Sequence, residues 1–216
     1  MFSVIFDMDG TLFDTQRICI PAWDWAGEKQ GFCGMGKHVP VICGMNNDNC
    51  YKYVLEHYPD IDIDRFNIDV HQYYNDNLVV KYMPGIEQLL FFLKENGIKM
   101  GLASGSSNES INHHLKAVGA EKFFDVALSS DDVVHCKPAP DVFLKTAELM
   151  GVKPKDCFVF EDSVNGIKAA NAAGMKCIGI PDIVDFPDEI NDMLFMKLKT
   201  ADEIIPIFTD LLNSFK

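Results

Sequence analysis

The 216-residue chain contains no CxxC pair, and its seven cysteines (19, 33, 43, 50, 136, 157, 177) are scattered and odd in number. That pattern speaks against a zinc site or a disulfide framework. Cys136, Cys157 and Cys177 fall in or beside strand and motif segments and are expected as small, reduced core residues. No apolar run approaches the roughly 18 residues that a membrane span needs. Met1 leads into a strand that meets an aspartate at position 7, which is not the pattern of a signal peptide. Cations are scarce, with 19 Lys and Arg against 32 Asp and Glu and a net charge of −13. Nucleic acid and anionic membrane both call for clustered Lys and Arg, so neither is an expected partner, and any phosphate site must be locally positive. Low-complexity tracts and internal repeats are also lacking. What remains is a globular composition, 48% hydrophobic with 16 Phe. The length suits one full core plus a smaller unit, expected to work as a cytoplasmic monomer.

The first stretch, FSVIFDMDGTLFDT at 2–15, carries the strongest chemical signal. Phe2–Phe6 reads as a short buried strand. Asp7 and Asp9 follow two apart, and Gly10-Thr11 forces a turn. A carboxylate at the end of a buried strand is costly to desolvate unless a cation or donors meet it. Two of them beside a glycine suggest oxygen ligands for a hard cation such as Mg²⁺. The same letters also fit a strand with a polar turn, and the rest of the chain has to decide.

From Thr15 to about Tyr82 helical spacing replaces strand alternation. Helices are expected near 15–30, 46–58 and 65–80, with Gly31–Gly36 breaking the first from the rest and Pro59-Asp60 ending the second. Residues 15–82 therefore read as a helical domain inserted into a core made of 1–14 and 83–216. Most Trp and Tyr of this block are expected as its own core. Beyond it, Pro84-Gly85 opens a helix with Ile86, Leu89, Leu90 and Leu93 on one face. Ile98–Ser104 is a second strand, and Ser106 with Glu109 has capping-box spacing for the next helix. On that helix Ile111, Leu115 and Val118 form the apolar stripe, and His113 and His114 are expected at the surface. Val126–Leu128 is a third strand, a helix spans about 140–150, Cys157–Phe160 is a fourth strand, an Ala-rich helix runs over 163–173, and Lys176–Ile180 is a fifth strand. Strand alternating with helix means an α/β fold with a doubly wound parallel sheet. Ligands bind such sheets at the carboxyl ends of the strands. Asp7, Ser104, Lys137, Glu161 and Asp162 all lie just after strands or on the loops beyond, so the topology gathers them at one edge.

With those pieces in view, the chain resembles the haloacid dehalogenase-like phosphohydrolases, in the β-phosphoglucomutase-like branch that carries a small helical cap on a Rossmann-like core. The matching segments are DMDGT at 7–11, LASGS at 102–106, KPAPDVF at 137–143 and EDSVNGIKAA at 161–170. The resemblance implies that Asp7 is the nucleophile, forming an aspartyl-phosphate, and that Asp9 is the acid and then the base. It implies that Thr11, Ser104 and Gly105 bind phosphoryl oxygens and that Lys137 pairs with nucleophile and phosphate. Mg²⁺ would be held by Asp7, the Asp9 backbone carbonyl and Asp162, with Glu161 beside it. Four carboxylates against Mg²⁺ and Lys137 leave one negative charge, so a phosphate dianion is repelled unless one carboxyl is protonated.

The residues also admit blander roles. Lys137 could be a solvated surface lysine, Ser104 an ordinary strand-end residue, Asp14 a helix cap, and Asn108 and Asn165 turn or cap residues. Among the functions, the DxD pair argues against a dehalogenase, which needs neither a second aspartate nor Mg²⁺. A mutase of the β-phosphoglucomutase type needs a basic phosphate clamp in the cap, yet Ile42–Asn47 holds no Lys or Arg, and Cys19 stands where its hinge histidine would fall. Lys37, Lys52 and Arg65 remain possible substitutes, so the mutase stays an alternative. A non-catalytic binding protein on this fold would be expected to have lost Asp7 or Asp9. The favoured expectation is hydrolysis of a small phosphomonoester, a sugar or polyol phosphate, with Trp23, His38, Met45–Asn47 and Arg17 near the pocket wall.

Overall fold

The computed structural model describes residues 2–42 and 47–214, and of residues 47–49 the backbone only. In chain order the elements are β1 (Ser3–Phe6), α1 (Cys19–Glu28), α2 (Val39–Ile42), α3 (Asn47–His57), α4 (Ile63–Asn77), α5 (Ile86–Glu95), β2 (Met100–Ala103), α6 (Asn108–Val118) and β3 (Val126–Leu128). Then follow α7 (Asp141–Met150), β4 (Cys157–Glu161), α8 (Val164–Ala172), β5 (Lys176–Gly179), α9 (Asp188–Asn191), β6 (Met196–Lys197) and α10 (Ile205–Asn213). The six strands form one parallel sheet in the order β3-β2-β1-β4-β5-β6. The chain winds outward from β1 through β2 to β3, then returns to β4 on the other side. The strand order thus reverses beside β1, where an open parallel sheet leaves a crevice at its carboxyl edge.

Alternation along each strand feeds two cores. Val4, Phe6, Met100, Leu102, Phe158, Phe160 and Ile178 face one side, packed with Leu89, Leu90 and Leu93 of α5, Ile111 and Leu115 of α6 and Phe208 of α10. Ile5, Ala103, Cys157, Val159 and Cys177 face the other, with Val142, Phe143 and Ala147 of α7 and Ile167 and Ala170 of α8. Central strands buried on both faces read as continuous apolar runs, which is why these segments were legible as strands. β6 was not anticipated, because two residues carry no periodicity. Cys157 and Cys177 are buried as expected, but Cys136 is exposed, since it rides the loop that leads into Lys137 rather than a strand.

The chain divides into two compact units, Met1–Asp14 with Val80–Lys216, and Thr15–Val79. The expectation placed the second crossing after Tyr82. The difference lies in backbone bonding: Asp14 N–H donates to the Lys81 carbonyl, and Phe13 bridges Tyr82 antiparallel, so 80–82 are zipped to the first loop of the core.

Within Thr15–Val79 the described helices are α1 to α4, joined by a short 3-10 turn at Met35–His38. Helix α1 begins at Cys19, not 15, so Asp14 is not its cap. Trp23 is buried edge-on to Phe66, but Trp25, Tyr53, Tyr58 and Tyr73 are only half-buried. The least anticipated core residue is Asp69 of α4, fully buried and paired to Lys29 (2.8 Å) and Arg65 (3.0 Å). The Lys29 hydrogen bond, outweighing burial and joined by Arg65, holds its carboxyl below the usual carboxylate range. No helix among the described residues is long and apolar enough to cross a membrane.

Candidate active site

The site is assembled by strand ends. Asp7 follows β1 directly; its N–H donates to the Phe160 carbonyl (3.0 Å), which continues the β1–β4 ladder by one residue and buries the side chain. Met8–Phe13 then folds back, with Gly10 N–H on the Phe13 carbonyl (2.9 Å) and Gly10 at a φ of 81°, a left-handed conformation that a side chain would strain. From the loop after β3, Lys137 enters between the carboxylates. Its ammonium has three donors and each has a partner: Asp7 Oδ1 (2.5 Å), Glu161 Oε1 (2.6 Å) and the Ala103 carbonyl (3.0 Å). The side chain lies over the Phe143 ring and is only 10% exposed. The surface reading of Lys137 is thus excluded.

Glu161 ends β4 with no exposure at all. Its second oxygen accepts from Asp162 N–H (3.1 Å), Ser163 N–H (3.0 Å) and the Ser163 hydroxyl (2.9 Å) at the start of α8. Gly166 makes room for this: a Cβ there would stand 1.8 Å from Glu161 Oε1. The glycine of VNGIKAA is present because a buried carboxylate occupies the space a side chain would take.

Among the described residues, Asp7, Glu161 and Asp162 form the one cluster whose ligand oxygens all lie within 4.8 Å of one another. As the site stands, burial pushes Asp7 up to about 8, opposed by Lys137 and reinforced by Glu161 and Asp9. Burial pulls the Lys137 ammonium down, but Asp7 and Glu161 outweigh it and hold the ammonium above its ordinary value. Three clustered carboxylates therefore face a single ammonium, and an all-oxygen donor set with surplus negative charge fits a hard divalent cation.

The remaining expected residues are distributed as follows. Thr11 is buried, and its hydroxyl donates to Asp162 Oδ1 (3.0 Å), which orients that carboxylate. Ser104 is buried at the end of β2 and accepts from Ser106 N–H (3.0 Å). Gly105 has open space where a side chain would be. The Asp9 carboxylate is outside the metal-type cluster and accepts from the Ser106 hydroxyl at 2.6 Å. Ser106 is therefore a site residue and not a cap. Helix α6 is capped one position later by Ser107, whose side chain accepts from Ser110 N–H. Both serines have a polar residue three positions on, so the sequence alone could not choose between them. His114 also departs from expectation. It is buried beside Phe13, with ring centroids 6.2 Å apart, because position 114 falls on the Ile111–Leu115–Val118 stripe, while His113 is exposed. Of the expected pocket wall, Met45 and Asn46 lie outside the described residues, as does the Asn47 side chain. His38 is tied to the hydroxyls of Tyr53 (2.8 Å) and Tyr58 (2.9 Å).

A buried carboxylate, a lysine paired to it and an acidic cluster that could hold a cation thus meet at the carboxyl edge of a doubly wound sheet. The chain belongs to the haloacid dehalogenase-like hydrolases, whose family model matches residues 4–180. It is 35% identical over 189 residues to the "Probable pseudouridine-5′-phosphatase" of Drosophila melanogaster, covering 82% of this chain and 80% of that one. It is 32% identical over 181 residues to the phosphorylated carbohydrates phosphatase of Thermotoga maritima, covering 82% and 84%. The solved β-phosphoglucomutase of Clostridium difficile superposes with a TM-score of 0.74 at 26% identity, covering 100% of this chain and 98% of that one.

Proposed function

We propose that the protein is a Mg²⁺-dependent phosphomonoester hydrolase acting on a small phosphorylated metabolite, a sugar or polyol phosphate, in the cytoplasm. The observation that carries this reading is Asp7, buried at the end of β1, salt-bridged to Lys137 and clustered with Glu161 and Asp162. Asp7 attacks phosphorus, the bond to the leaving oxygen breaks, and the phosphoryl group passes to the Asp7 carboxylate. Asp9, two residues on, donates a proton to the departing alkoxide and then takes one from the water that cleaves the aspartyl-phosphate. Lys137 spreads its charge over nucleophile and phosphoryl oxygens, and the 104–106 loop offers polar groups to the others. Asp7, Asp162, Glu161 and the Asp9 carbonyl would hold Mg²⁺. When bound, it supplies the charge neutralisation that lets Asp7 ionise beside an incoming dianion.

Phosphatases of phosphorylated carbohydrates among the relatives support the substrate class. The likeness to a β-phosphoglucomutase favours a second reading, phosphoryl transfer between two positions of one sugar. A panel of sugar, polyol and nucleoside monophosphates assayed with Mg²⁺ separates them. Release of inorganic phosphate from one class supports the hydrolase. Conversion of β-glucose 1-phosphate to its 6-phosphate in the presence of glucose 1,6-bisphosphate, without net phosphate release, overturns it in favour of the mutase.

A further inference from the structure

Ser106 reaches Asp9 from a loop that hydrogen bonds beyond its own turn hold in place. The loop after β3 supplies them. The Ser130 hydroxyl donates to the Gly105 carbonyl (2.8 Å), and the Ser129 hydroxyl donates to the Ser106 carbonyl (2.8 Å). Ser129 is fully buried, and its oxygen also accepts from Asp131 N–H (2.9 Å), so its hydroxyl has one orientation. The two loops are laced further by Asn108, whose N–H donates to Asp131 (3.1 Å), while the Ser129 N–H donates to Asp132 (2.9 Å).

These bonds act on the two peptide groups on either side of the Ser106 Cα. A planar peptide with its carbonyl fixed has its N–H fixed too, pointing the opposite way. With the Gly105 carbonyl held by Ser130, Ser106 N–H turns to Ser104 Oγ (3.0 Å). With the Ser106 carbonyl held by Ser129, the second plane is set. Pinning both planes sets the direction of the Cα–Cβ bond between them, and that bond aims the Ser106 hydroxyl at Asp9 Oδ2 (2.6 Å). The same β3 loop runs on to deliver Lys137.

We infer that Ser129 and Ser130 are positioning residues: they fix the 104–106 loop and, through Ser106, the orientation of the Asp9 carboxylate. The chemical consequence rests on the proposed phosphatase reading. An alkoxide leaving group needs a well-aimed acid, whereas an aryloxide of low basicity does not.

The test uses Ser130→Ala, whose partly exposed site makes it the milder change, and Ser129→Ala, with Ser130→Thr as the variant that keeps the hydroxyl. Amide hydrogen exchange at Ser106 and Ser107, followed by NMR, is expected to quicken by up to about ten-fold in both alanine variants, the factor one lost hydrogen bond gives. Exchange along β4 should be unchanged and Ser130→Thr should match the parent. In turnover, kcat for an alkyl phosphate should fall by roughly ten-fold or more while kcat for p-nitrophenyl phosphate falls less. Unchanged loop exchange overturns the inference, as does an equal loss of kcat on both substrates. A parent that hydrolyses neither ester while the loop exchange responds as stated leaves the clamp standing and sinks the phosphatase reading instead.

Discussion

Replacing Gly166 with alanine is a small change with a computable consequence. The new Cβ would lie 1.8 Å from Glu161 Oε1, 1.9 Å from its Cδ and 2.3 Å from Oε2, where 3.0 Å is the least a real Cβ tolerates. The carboxyl must therefore retreat by about 1.2 Å. It cannot do so and keep both the 2.6 Å bond to Lys137 and the three donors from Asp162 and Ser163 on its other oxygen. Overpacking of this size costs about 1–3 kcal/mol, and alanine returns up to about 1 kcal/mol of helix propensity, so the protein should remain folded. Activity should suffer far more, because a misplacement of about 1 Å in a charged site can cost on the order of 100-fold. Steady-state hydrolysis of p-nitrophenyl phosphate with saturating Mg²⁺, beside a thermal melt, reads both. A kcat/KM within about twofold of the parent would refute the claim that Glu161 must sit where it does.

Lys137→Met leaves Asp7 and Glu161 buried against one another. Breaking such a pair costs about 3–5 kcal/mol, measured by urea unfolding, and kcat/KM should drop by at least about 100-fold. Because Lys137 counteracts the upward push on Asp7, the stability deficit should be largest at high pH and shrink as the carboxylates protonate. In the metal-free parent, Asp7 is raised from 3.8 to about 8, so between those values the folded state binds more protons than the unfolded one. Stability must then fall as pH rises through that window, and Asp7→Asn should flatten the slope. Mg²⁺, binding only the folded state, should raise Tm more at pH 8 than at pH 5.5, by calorimetry. An equal rise at both would contradict the cluster as the ion's seat.

Much of this architecture could be read from spacing because the central strands β1, β2 and β4 are buried on both faces and lead into polar residues with chemistry. Phe2–Phe6 into Asp7, and Cys157–Phe160 into Glu161-Asp162, show both features in adjacent letters. What escaped was set by contacts between distant segments. The partners of Ser129 and Ser130 are loop carbonyls more than twenty positions earlier, and no local pattern announces them. Asp69 looks like a surface acid until Lys29 and Arg65 are seen to close over it. His114 was recoverable, since it shares the apolar stripe of α6, but its polarity suggested the surface. Thr11 carried a role by resemblance, and its hydrogen bond to Asp162, 151 positions away, is another contact that no local pattern announces.

The central claim is that one Asp7 oxygen receives the phosphoryl group beside a bound divalent ion. Phosphate release from p-nitrophenyl phosphate by Asp7→Asn, with Mg²⁺ and again after EDTA treatment of the parent, tests it most directly. A loss of at least about 1,000-fold is expected in both arms. Turnover near the parent rate in either arm would contradict it.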